Sequence, residues 1–318
     1  GGRVFPIEGI QAAGSPQQTK RQQDSCLEVM TGAVLPLGTD VIVPYEKVEI
    51  SNGTATVLLE EVSQLQHVHL KGRDRSQGDV LIPENTLVTA AEVGVLATVG
   101  KAEVLVNKQP KVVIVSTGDE LVEVTQTPLS HQIRRSNVFS LQTLLSVVGV
   151  QAETLHLDDD QEQLEIQIAQ LFEAFDVLLF SGAVSKGKYD FLPEVLERLG
   201  VKKLFHRVQQ RPGKPFWFGT KSEKLVFAFP GNPVSTYVNC LQYFYPWYRV
   251  SMDLAATPLY AELGEDITFK PSLTYFLQVR LKYEKATLIA TPVKGNGSGD
   301  LANLVDADAF MILPADAV

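Results

Sequence analysis

Between residues 112 and 250 two hydrophobic patterns alternate. Short apolar runs at 112–115, 176–180 and 225–229, and a further segment near 152–157, are separated by stretches whose apolar residues recur every three or four positions. The runs read as strands buried on both faces, the stretches as amphipathic helices. Leu141, Leu144, Leu145 and Val148 mark a helix starting at Asn137, capped by Ser136 or Asn137. Leu164, Ile168, Leu171, Phe172 and Phe175 mark the next. A helix at 191–199 stops at Gly200, a strand follows near 204–208, and a last helix starts beyond Pro233. This alternation predicts an α/β domain with a doubly wound, mostly parallel sheet, whose ligands bind at the carboxyl ends of the strands.

The flanks read differently. Segments 40–44, 48–50 and 54–60 are rich in Val, Ile and Thr, and SNGT at 51–54 is a hairpin signal. His67 and His69 alternate as on a solvent-facing strand, 71–79 is a polar loop, 89–95 is helix-like, and 107–111 resembles a boundary. After about residue 260 a β-hairpin and a closing strand, AFMILP, indicate a small separate β-domain. The expected division is 1–69, 70–110, 111–255 and 256–318.

Composition narrows the function. The 318 residues are 45% hydrophobic and carry a net charge of −9. An acidic chain lacks the basic face of sequence-independent nucleic-acid binding, although a few local cations can still hold an anionic small molecule. No apolar run approaches a membrane span and no signal-peptide pattern opens the chain. Cys26 and Cys240 form no CxxC, which suggests reduced thiols and a cytoplasmic location.

The strand-end loops could carry chemistry. Asp119 and Glu120 follow the first strand, Asp158, Asp159 and Asp160 the second, and Asp190 the third. A single such Asp is usually a helix cap, but carboxylates at three strand ends suit Mg²⁺ shared with substrate phosphates. Arg207, Arg211 and Lys214, with Lys186 and Lys188, lie in Gly/Pro loops that suit an oxyanion. GAVSKGKY at 182–189 nearly fits a phosphate loop, but Tyr189 stands where a Ser or Thr hydroxyl should meet Mg²⁺. In FAFPGNPVS, two prolines bracket a turn that would aim a helix N-terminus at an anion.

Six motifs then occur in order: MTGAVLP at 30–36, STGDEL at 116–121, SGAVSKGKYD at 181–190, RPGKPFWFG at 211–219, PGNPVS at 230–235 and GSGDLANL at 297–304. Together they resemble the molybdopterin molybdotransferase MoeA family, which includes the gephyrin E domain, over essentially the whole chain. The resemblance implies a β-rich domain, an elongated dimer-contact segment, a MogA-like α/β domain and a C-terminal β-barrel. It implies molybdate insertion into adenylylated molybdopterin with Mg²⁺-dependent release of AMP, a homodimer with shared sites, and a MogA-like molybdopterin adenylyltransferase as pathway partner. Matching positions are Thr31, Asp74, Glu120, Asp158 and Asp190 for catalysis, the last two also for metal. For ligand binding they are Ser181, Gly182, Ser185, Arg207, Arg211, Lys214, Pro230, Pro233, Ser235 and Ser298.

The departures are specific. Family members begin with a further segment carrying MDGYA, and this chain starts after it. Arg135 replaces an acid, Arg73 replaces Glu, Leu273 stands where a molybdate-binding arginine is expected, and Tyr275 where an acid is. Whether Arg280 substitutes for that arginine is open at this point. The alternative is a catalytically weakened pterin-binding or scaffold homologue of the same fold.

Overall fold

The computed structural model describes residues 3–182, 184, 191–255 and 257–316. They fall into two compact units, Gly1–Ile82 and Pro83–Val318.

In the first unit, strands β1 (Val4–Gln11), β2 (Cys26–Val29), β3 (Val48–Ser51) and β4 (Thr54–Val57) form one sheet in the order β2-β1-β4-β3. The β3–β4 hairpin is the one SNGT predicts. Asn52 and Gly53 have φ of 47° and 72°, and two successive positive values are what a tight two-residue hairpin turn requires. Residues 40–44 form no strand. Ile42 N–H instead donates to the Gln66 carbonyl at 3.0 Å, and Leu65 N–H to the Asp40 carbonyl at 2.7 Å. His67 and His69 are exposed as expected but lie outside any strand; His67 ends a turn, with φ 56°.

The second unit opens with α1 (Ala90–Thr98), closed by a Thr89–Glu92 capping box. Its main sheet contains β5 (Val112–Thr117), β6 (Ala152–Leu157), β7 (Val177–Ser181), β8 (Lys202–His206), β9 (Trp217–Lys221) and β10 (Lys224–Phe229), in the order β8-β9-β10-β7-β5-β6. β10, β7, β5 and β6 are parallel, whereas β9 runs antiparallel to both neighbours. Along β5, Val113 and Val115 face one core with α3 (Gln161–Ala174) and α4 (Leu192–Arg198). Val112 and Ile114 face the other, with α2 (Asn137–Val147). Period-two alternation with both phases apolar therefore covers both faces.

Beyond β10 the chain enters one helical rod: α5 (Pro233–Asn239), a π-helical turn (Cys240–Phe244) and α6 (Tyr245–Ser251). A second sheet follows, with β12 (Thr287–Pro292) and β13 (Ala309–Leu313) flanking β11 (Thr274–Glu284) in antiparallel pairing. Gln210 and Arg211 pair in parallel with Thr274 and Tyr275, so the loop after β8 is also an edge of this sheet. Strand β8 stops at His206, short of the expected 208. Arg207 takes φ 72°, and Val208 N–H turns to the Lys214 carbonyl at 3.0 Å.

Ile168 sits in the α3 core with no exposed surface. Ile168→Ala should lower unfolding free energy by about 2–5 kcal/mol through lost burial and a residual cavity. Urea denaturation of both proteins measures this.

Candidate functional site

The loop at the carboxyl end of β10, the turn after β8 and the second sheet line a cavity of about 810 Å³. Arg211, Lys214, Pro230, Ser235 and Ser298 all line it. The cations sit on a turn built around glycine. Gly213 has φ 92°, and a Cβ there would lie 2.3 Å from Asn239 Oδ1. Gln210, 3% exposed, donates through Nε2 to the Pro212 carbonyl at 2.9 Å and to Asn239 Oδ1 at 2.8 Å. Asn239 donates through Nδ2 to the Gly213 carbonyl at 3.1 Å. The Tyr243 hydroxyl donates to Gln210 Oε1, and burial pushes its pKa up to about 12, so it remains a donor.

Across the cavity, the glycine-rich loop closes onto the PGNP turn. Asn232 Nδ2 donates to Ser298 Oγ at 2.9 Å, and Val234 N–H donates to the Ser298 carbonyl at 3.1 Å. A helix-terminal donor expected to face an anion is thus used within the protein, because residue 298 brings its own carbonyl to it. Asn137, at the start of α2, joins three segments. Its Nδ2 lies 2.9 Å from Ser181 Oγ, 2.8 Å from the Gly231 carbonyl and 3.5 Å from Thr236 Oγ1. Neither Ser136 nor Asn137 caps α2 with its side chain, since that amide is committed to the strand ends. Gly182 has φ 109°, and a Cβ there would sit 3.3 Å from the Thr117 carbonyl. Glycine lets these two strand ends lie together.

The acidic loops after β5 and β6 also meet. Asp119 Oδ1 accepts from Asp159 N–H at 3.1 Å. Asp160 caps α3 by accepting from Gln163 N–H at 2.9 Å. The Asp158 carboxylate is 84% exposed and 3.9 Å from His156 Nε2, while His156 Nδ1 meets Ser116 Oγ at 3.0 Å. Glu120 folds back, placing its carboxylate where a side chain on Gly118 would stand.

Comparison with known proteins decides what this edge belongs to. Residues 2–100 match the MoeA N-terminal region (domain I and II), 113–249 a probable molybdopterin binding domain, and 260–318 the MoeA C-terminal region (domain IV). A molybdopterin molybdenumtransferase of Synechocystis sp. is 40% identical over 99% of this chain and 80% of its own. One from Bacillus subtilis is 32% identical over 95% of this chain and 72% of its own. The chain belongs to the MoeA family. The crystal structure of the Pyrococcus horikoshii molybdopterin biosynthesis MoeA protein shares its fold, with a TM-score of 0.78 at 26% identity over 99% of this chain and 78% of that one.

Within this family chain, the residues expected from sequence separate into groups. The five cavity residues come together, and Ser181 and Gly182 join them through Asn137 and Gly231. Pro233 is the first residue of α5 and does not line the cavity. Arg207 is exposed outside the lining. Glu120 and Asp158 lie at the neighbouring β5 and β6 ends. Ser185 and Asp190 fall outside the described residues. Thr31 and Asp74 belong to the first unit, where both are exposed and Asp74 Oδ2 meets His69 Nε2 at 3.1 Å.

The departures from the family pattern have definite places. Leu273 and Tyr275 line the cavity, and Tyr275 stacks on Phe269 with ring centroids 4.3 Å apart. Arg280 lies outside the lining and is held by the Asp306 carbonyl at 2.9 Å. Arg135 pairs with Glu123 at 2.8 Å, 13% exposed, with Nε buried and unpartnered. Sequence reasoning missed Gln210, Asn239, Tyr243 and Asn232. Gln210 and Asn239 grip backbone carbonyls and Asn232 and Tyr243 hold other side chains, instead of presenting charge. Uncharged and scattered along the chain, they carry no signal of their own that marks a ligand site.

Asn137→Ala should destabilise the fold by about 1–3 kcal/mol, because it leaves a buried Ser181 hydroxyl without its donor. Thermal and urea unfolding should both report the loss.

Proposed function

We propose that this chain is a molybdopterin molybdenumtransferase that inserts molybdenum during cofactor synthesis. The observation that carries this reading is the cavity on which Arg211, Lys214, Ser235 and Ser298 converge at the carboxyl edge of a molybdopterin-binding-type sheet. Molybdate, the substrate, is a tetrahedral dianion. A guanidinium, an ammonium and hydroxyl donors from three loops suit its four oxygens. The family names of the Synechocystis and Bacillus relatives support the same assignment.

The finer reading follows from chemistry. The pterin would lie along the glycine-lined ends of β5 and β7, with the oxyanion in the cavity beside it. Among the described residues no three acidic, histidine or cysteine side chains form a ready metal cage. The exposed Asp158 offers hard oxygen donors of the kind Mg²⁺ takes together with waters and substrate phosphates. Asp158 and Asp190 would hold Mg²⁺, and the ion would neutralise phosphate charge as AMP leaves adenylylated molybdopterin. Glu120 would orient water or a phosphate neighbour. In the first unit, Thr31 and Asp74 would complete a site shared within a homodimer. The contact segment around 70–110 fits that role: α1 reads AAEVGVLAT and buries none of its residues. The adenylylated substrate requires an upstream adenylyltransferase. No helix among the described residues is long and apolar enough to cross a membrane, and a cytoplasmic location fits a substrate made by such an enzyme.

A second reading, a pterin-binding homologue with weakened turnover, is favoured by two observations. Leu273 and Tyr275 give the cavity an uncharged wall, and Arg280 is tied to Asp306.

Two measurements test the assignment. Lys214→Ala should weaken molybdate binding about tenfold or more by titration calorimetry, with tungstate competing in the parent protein. Undiminished molybdate binding would remove the cavity from the reading. Asp190→Asn should slow Mg²⁺-dependent AMP release from adenylylated molybdopterin by about 10²-fold while leaving the melting temperature nearly unchanged. Equal release rates would exclude Asp190 as a ligand, and no release by the parent protein would favour the pterin-binding reading.

A further inference from the structure

Three side chains, Gln210, Asn239 and Tyr243, hold the Arg211–Lys214 turn. Gln210 and Asn239 are 3% and 0% exposed, and neither Asn239 nor Tyr243 lines the cavity. Successive carbonyls of the turn, Pro212 and Gly213, accept from Gln210 Nε2 at 2.9 Å and Asn239 Nδ2 at 3.1 Å. Both Nε2 protons of Gln210 are used, because the second goes to Asn239 Oδ1 at 2.8 Å. The Tyr243 hydroxyl takes the remaining end of that amide. Turning the Gln210 amide over would set its oxygen against two acceptors, so its orientation is fixed by the three groups around it.

The same tyrosine reaches the far end of the turn. Its ring stacks on Phe216, with centroids 4.3 Å apart, and Phe216 is fully buried. The turn is thus held at its start by Gln210, at its middle by two carbonyls and at its end by Phe216. Asn239 and Tyr243 belong to the helical rod whose first turn carries Ser235.

We infer that Gln210, Asn239 and Tyr243 form a positioning clamp that sets Arg211 and Lys214 in register with Ser235, so that all three meet one tetrahedral oxyanion. This rests on the molybdate reading of the cavity. Arg211 and Lys214 are exposed, long and flexible, so only the backbone beneath them can be fixed in advance. A pinned backbone reduces the search each side chain makes on binding. Asn239 and Tyr243 lie outside the cavity lining and act through the turn, while Gln210 stands where the turn meets the lining.

The test uses the full chain, sodium molybdate as the probe, and hydrogen exchange read by mass spectrometry. Tyr243→Phe keeps the ring stack and removes only the hydroxyl. It should weaken molybdate about fivefold, within the range of one hydrogen bond. Asn239→Ala should weaken it further, because the Gly213 carbonyl loses its donor and Gln210 Nε2 loses an acceptor. Without ligand, amides of 209–216 should exchange faster in both variants, while those of β5 and β7 keep their rates. Added to Lys214→Ala, Tyr243→Phe should change affinity by less than it does alone, since clamp and cation act in series. Unchanged affinity in both variants overturns the clamp, as does strict additivity with Lys214→Ala. Loss of protection across β5 and β7 as well as the turn also overturns it, by showing general loosening. Should the parent protein bind no molybdate, the oxyanion reading itself falls, and the ligand-free exchange then reports separately on whether the triad holds the turn.

Discussion

Burial of both faces of the β10-β7-β5-β6 sheet is the constraint on which the rest of the second unit depends. Strands with apolar residues in both phases can be satisfied only between two helical layers. Parallel connection then brings their carboxyl ends to one edge, where the backbone must leave the ladder. Polar groups freed there need partners, and the chain supplies them locally: Asn137 to Ser181 and Gly231, Asp119 to Asp159, Asp160 to the start of α3. The chemistry-bearing loops are those the fold leaves without regular hydrogen bonding.

Glycine sets how closely those loops approach. Gly182, Gly213 and Gly231 each lie where another segment passes within contact distance of a would-be side chain. Two of them, Gly182 and Gly213, also have positive φ. Amides then do the fastening. Gln210, Asn239, Asn232 and Asn137 hold backbone carbonyls or hydroxyls, so the charged groups at the cavity are left to face it.

How much was legible in the sequence followed from the strength of the local signal. Helices α2, α3 and α4 and strands β5, β7 and β10 were readable because their burial imposes a sharp period. The 40–44 segment misled because Val and Ile favour strands only where a ladder neighbour exists, and here a turn took its hydrogen bonds. Antiparallel β9 was hidden inside RPGKPFWFG, whose glycine and prolines spoke of a loop. At the site, the charged and glycine positions could be assembled from motif order. The clamp could not, because Gln210 and Tyr243 are far apart in sequence and carry no charge. Nor could the capture of Val234 N–H by residue 298, which needs the second sheet folded against the first.

That last contact has a consequence for how the cavity attracts its ligand. A helix terminus whose N–H is already bonded to a carbonyl contributes less field to the space in front of it. Attraction then rests more on Arg211 and Lys214, which are exposed. Exposed charges are screened over about 8 Å at physiological ionic strength. Anion capture at this edge is therefore sensitive to the surrounding electrolyte, more so than in a pocket built on free backbone donors, and competing sulfate or phosphate would meet the same two cations on nearly equal terms.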